Sequence, residues 1–172
     1  MSGKLIQVAT HTANNTNTTV TLTGINSDDV YMVAVSNFVP QTDRRYLQMR
    51  FTESGTPNIT ANYDQAIKAL KTNTSFGNGS YPNQTFAYAG VSTIGSSTGE
   101  GLNGIYYIYN AYNSSEYTFA TIESAYGNYL AQFWGDAGGF VFTQNSAVDG
   151  VNFFLNDTGN IASGTFTLYK VL

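Results

Sequence analysis

The chain has 172 residues and a mass of 18.6 kDa, the size of one domain spanning 1–172; it lacks cysteine and has one histidine, His11, which excludes disulfides, thiolate metal sites, a thiol nucleophile and a multi-histidine cage. Lys and Arg number 7 and Asp and Glu 11, so charged residues are 10% of the chain and the net charge is −4, which leaves no electrostatic footprint for nucleic acid and no basic face for anionic lipid. No apolar run approaches the roughly 20 residues of a membrane helix, and the first residues lack the apolar core of a secretory signal, so no signal-directed export is expected.

Taken in chain order, the apolar residues repeat with a period of two. A first strand is expected at Leu5–Val8, followed by a polar tract, Thr12–Thr19, that reads as a hairpin loop. Val20 and Leu22 then share a face between threonines. Asp29–Phe38 is apolar on both sides, the mark of a central strand or of one whose outer face meets a partner. In Tyr46–Thr52, Leu47, Met49 and Phe51 alternate with polar residues. Ala61–Lys71 has good helix formers. As a strand it would place Tyr63, Gln65, Ile67 and Ala69 on one face, and that reading is preferred beside so many strands.

Gly77–Gly79 and Ser96–Gly99 read as turns. Gly104–Tyr112 is again apolar on both sides, with Tyr106 and Ile108 opposite Ile105, Tyr107 and Tyr109. Gly135–Gly139 and Asn156–Asn160 are two more turn signals. They flank Val151, Phe153 and Leu155, and Phe166 and Leu168 close the series. Eleven or twelve strands at even spacing predict an all-β, antiparallel sandwich, jelly-roll-like in arrangement.

Several strings suggest chemistry and fail in context. Gly95–Gly99 fits G-x-S-x-G, but the only histidine lies upstream and a strand follows, whereas a nucleophile elbow leads into a helix with its histidine downstream. Gly99–Gly104 fits G-x-G-x-x-G, yet it too opens a strand and reads as a turn with positive-φ glycines. Asp28, Asp29, Asp136, Asp149 and Asp157 are expected in turns, where aspartate is common, and no calcium-loop pattern joins them. His11 is expected to be hydrogen-bonded or exposed. Eight N-x-[ST] sequons follow from the abundance of Asn and Thr and need no glycan. Neither a catalytic residue, a metal nor a cofactor is expected.

Two clusters remain. Phe133 and Trp134, with Tyr126 and Tyr129 nearby, are candidates for a stacking platform or a protein anchor, with core packing as the plainer outcome. Arg44 and Arg45 beside Asp43 form the one basic cluster, fitting a solvated turn or an ion pair between subunits. The exterior must be built mainly from 54 Asn, Thr and Ser residues with 17 Gly and 13 Tyr. Such groups cost less to desolvate than charges, and interface cores are poor in charge and rich in tyrosine.

The closing residues Asn160–Tyr169, ending Ile-Ala-Ser-Gly-Thr-Phe-Thr-Leu-Tyr, resemble the last strand of small virion structural proteins of tailed bacteriophages, which end in a pattern close to I-x-S-G-T-x-x-L-Y-G. Lys170 stands where glycine is usual. Leu5–Val8 with its Thr/Asn tract, Asp28–Phe38 and Leu47–Gly55 resemble the same group in the general order of strands. The resemblance implies a β-sandwich built into the particle as a head decoration or a tail or fibre component, assembled in the host cytoplasm. It implies other virion proteins and further copies of the chain as partners, and supplies no catalytic residues. The alternative is a module at a fibre tip that binds a host surface glycan through the aromatic cluster.

Overall fold

The structure is a computed structural model that describes residues 3–73 and 75–172. Every described element is a strand: β1 (Leu5–Ala13), β2 (Thr19–Thr23), β3 (Tyr31–Pro40), β4 (Leu47–Glu53), β5 (Thr56–Pro57), β6 (Tyr63–Lys71), β7 (Gly77–Gln84), β8 (Ala87–Tyr88), β9 (Gly101–Tyr109), β10 (Thr118–Gly127), β11 (Phe133–Phe142), β12 (Gly150–Leu155) and β13 (Ile161–Val171). All pairings are antiparallel. One sheet has eight strands in the order β1-β13-β3-β9-β10-β11-β6-β7; the other has the order β2-β12-β4-β5, with β8 also pairing β4. This is the expected β-sandwich.

The alternation seen in the sequence becomes the inside and outside of the sheets. Leu47, Met49 and Phe51 of β4, Val151, Phe153 and Leu155 of β12, and Phe166 and Leu168 of β13 all point into one core. Their burial is the main stabilising term, roughly 1.5–3 kcal/mol for each large apolar side chain. Phe51 lies at the centre of an aromatic cluster, with ring centroids 5.3 Å from Phe140, 5.9 Å from Phe142 and 6.3 Å from Tyr63. The buried tyrosines satisfy their hydroxyls while filling the core. Tyr63 Oη accepts from the Phe51 N–H at 3.0 Å and donates to the Asn58 carbonyl at 3.3 Å. Tyr106 donates to the Ala89 carbonyl at 2.9 Å.

Ala61–Lys71 is a strand over Tyr63–Lys71, with Tyr63, Gln65, Ile67 and Ala69 inward as the alternation predicted. Three expectations are corrected. The tract Thr12–Thr19 is not a hairpin loop: β1 pairs β13 and β2 pairs β12, so the chain turns a corner from one sheet to the other. Gly77–Gly79 is not a turn but the start of edge strand β7, paired with Lys68 and its neighbours.

Gly135–Gly139 is likewise not a turn but the middle of β11, between β10 and β6. Glycine serves there for close approach. A Cβ at Gly138 would lie 2.7 Å from the Ile67 Cα on β6, so any larger residue would force the strands apart.

Candidate functional site

The registers of β10, β11 and β6 decide which face each candidate side chain takes. Trp134 is paired with Tyr126 on one side and Lys71 on the other, and this row points inward, with Asp136 one step along. Tyr126 and Trp134 stack with centroids 6.4 Å apart, and the Lys71 ammonium lies 4.2 Å from the Trp134 ring centroid. Tyr126 is only 3% exposed and Asp136 2%. Phe133, one residue from Trp134, points outward and is 52% exposed. The expected exposed platform is therefore not formed: the alternation of the strand splits Phe133 from Trp134, and burial removes Tyr126 from solvent.

What these residues form is a clamp. Asp136 Oδ2 accepts from the Val91 N–H at 2.9 Å, the Tyr126 hydroxyl at 2.9 Å and Ser124 Oγ at 3.3 Å. The Tyr126 oxygen accepts in turn from the Ser92 N–H at 2.9 Å. The segment at Val91 and Ser92 is thus tied to the large sheet. Burial holds the Asp136 carboxyl above its ordinary pKa, opposed by the hydrogen bonds from Val91, Tyr126 and Ser124. Burial, with the nearby Asp136 charge, also pushes the Tyr126 phenol upward. Asp136 is buried in a strand rather than placed in a turn, which corrects the sequence expectation.

Tyr129 belongs to a second group. The Arg44 guanidinium lies 4.2 Å from its ring centroid, and Arg44 adopts a positive φ of 63°. Arg45 forms an ion pair with Asp157 within the chain, and its Nη1 donates to the carbonyls of Asp43 and Arg44. The structure thus brings Tyr129 to Arg44 and Tyr126 to Trp134. Phe133 stands apart from both groups.

Phe133 belongs instead to the outer face of the eight-stranded sheet, a surface the sequence reading did not assemble. Read across the strands, one row runs Ile105–Glu123–Ala137–Lys68–Asn78 and the next Tyr107–Thr121–Gly139–Ala66–Ser80. A third runs Tyr109–Phe119–Val141–Asp64. Leu70, Ile105, Tyr107, Phe119 and Phe133 all stand on this face and are exposed, Phe119 by 47%. Along β11 the residues Gly135, Ala137 and Gly139 leave a trough. Around Gly139 an open depression walled by Tyr109, Phe119, Val141 and Pro82 has a volume of about 560 Å³.

Of the 18 charged residues in the sequence, the registers place only Asp64, Lys68 and Glu123 on this face among the described residues. Asp64 is turned towards β7, accepting the Asn83 N–H at 2.6 Å. The signal that pointed here was the two-sided apolar run of β9. That strand is central, between β3 and β10, and also presents Ile105 and Tyr107 to solvent.

Chemically, this arrangement offers surface for burial rather than converging reactive groups. Among the described residues no three His, Asp or Glu side chains lie together. The chain matches no protein-family model, and no curated protein matches it.

Proposed function

We propose that the protein is a non-enzymatic structural component of a tailed-phage particle, set on its exterior as a head decoration or a tail or fibre component. It acts by packing many weak, uncharged surfaces against repeated neighbours, so that avidity replaces single-site affinity. The observation that carries this reading is the outer face of the eight-stranded sheet, where five large apolar residues stand exposed with three charges. Contiguous exposed apolar surface marks interaction sites, and depletion of charge marks interface cores.

Two further features support the reading. Strand β1 lies at the edge of its sheet and carries neither a charged residue nor a proline over Leu5–Ala13, whereas free edges are usually blunted by such residues. The sheet orders can be read as a jelly roll, β1-β13-β3-β9 facing β2-β12-β4-β8 with extra strands added, an architecture found in viral capsid and lectin domains. That second support is fold-level analogy. Glycan binding by the aromatic cluster is not proposed, because Tyr126 is buried and Lys71 lies over Trp134.

Quantitative mass spectrometry of purified particles tests the proposal. The chain is expected at a fixed, multiple copy number relative to the major head or tail protein. Its absence from particles, or a variable trace amount removed by washing, would contradict it.

A further inference from the structure

We infer that the outer face of the eight-stranded sheet is a two-fold interface with a second copy of this chain, centred on Ala137 with the dyad running close to β11. The inference rests on the reading of this face as a packing surface and names its partner. In a two-fold contact, residue i of one copy meets residue j of the other, and j meets i. A face suits this when opposite features stand at equal distances from one line.

The row through Ala137 has that property. Glu123 on β10 and Lys68 on β6 are both exposed and lie one strand to either side of β11, at about 4.8 Å each. A dyad along β11 sets Glu123 of each copy opposite Lys68 of the other. Within one chain they are not paired. Lys68 Nζ donates to Asn78 Oδ1 at 3.0 Å, and the ion pairs among the described residues are Arg45–Asp157 and Lys170–Asp29.

The shape permits the contact. Gly135, Ala137 and Gly139 along the proposed dyad let two sheets approach, and the same rotation lays the exposed Ile105 and Tyr107 over Asn78 and Ser80 of the second copy, Phe119 over its Asp64 and Leu70 over its Ala125. Facing sheets cross at roughly 30°, which displaces the central row least. Five strands about 4.8 Å apart and nine residues at about 3.3 Å each give a face of roughly 700 Å². That is close to the roughly 800 Å² per partner of a standard interface.

Sedimentation equilibrium of the full chain over a range of concentrations tests this, with E123K, K68E and the double variant E123K/K68E. The wild type is expected to dimerise. Each single reversal sets like charges across the dyad and is expected to weaken the dimer by about tenfold or more. The double variant restores opposite charges and is expected to recover wild-type affinity, as coupled partners in a double-mutant cycle do. A wild-type chain that stays monomeric at every concentration would overturn the inference, as would single reversals without effect or a double variant that fails to recover. If a monomeric chain is still found at fixed copy number on particles, the dimer falls and the structural role stands. The face then belongs to a different virion protein.

Discussion

Asp136 shows how one buried charge can be structural. Its carboxyl is lifted above the ordinary value of 3.8 by burial, so the folded protein holds that proton more tightly than the unfolded chain does. Between 3.8 and the raised value, the folded state binds the greater share of protons. The stability this group contributes is therefore fully present in acid and is lost as the pH rises through that window. Asp29 works the other way: its hydrogen bond and ion pair with Lys170 lower its pKa. The test is accordingly a difference. As pH rises across the window, the unfolding free energy of Asp136→Asn, measured by chemical denaturation, is expected to move in the variant's favour relative to wild type. A difference that is flat with pH, or that moves in the wild type's favour, would contradict the assignment. None of this was legible in the sequence, where Asp136 sits among glycines and looks like a turn residue. Period-two reading identifies apolar alternation, and an inward aspartate held at one oxygen by Tyr126, Ser124 and a distant N–H at Val91 leaves no trace in it.

Strand β11 is the element where local sequence signals and tertiary structure disagree most. Gly135, Gly138 and Gly139 are the usual punctuation of a turn, yet each takes part in an uninterrupted ten-residue strand paired on both sides. The tertiary constraint decides: at Gly138 and Gly139 the backbones of β6 and β10 approach closely enough that a Cβ is excluded. Gly138→Ala is expected to destabilise the fold by about 1–3 kcal/mol, the cost of overpacking, read as a lower denaturation midpoint. An unchanged or raised midpoint would show that the strands have room to spare. Gly77–Gly79 misled in the same way, opening edge strand β7, whereas apolar alternation held. Strand β6 was legible because its inward set, Tyr63 to Ala69, fits a period of two across good helix formers. Strands β5 and β8 were illegible because two residues carry no period. The corner between β1 and β2 was read as a hairpin because a polar Thr/Asn tract looks the same whether the chain folds back or crosses to the other sheet.

At the scale of the molecule, low charge was the clearest message of the composition, and the structure shows where it is concentrated. The all-β class and the inward faces of β2, β4, β6, β12 and β13 could be read from alternation alone, since inward faces are set within each strand. The outer face could not, because it depends on which strands become neighbours: Glu123 and Lys68 are 55 positions apart in the sequence and two strands apart in the sheet. Its exposed residues include Leu70, Ile105, Tyr107, Phe119 and Phe133, and in the two-fold contact we infer, Glu123 and Lys68 would meet their opposites while Asp64 is engaged by the Asn83 N–H. The measurement that bears most directly on this account is an image reconstruction of the intact particle at side-chain resolution. The account predicts that Ile105, Tyr107, Phe119 and Ala137 are covered by a neighbouring subunit. A particle in which that face lies open to solvent, with the chain attached through other surfaces, would contradict it.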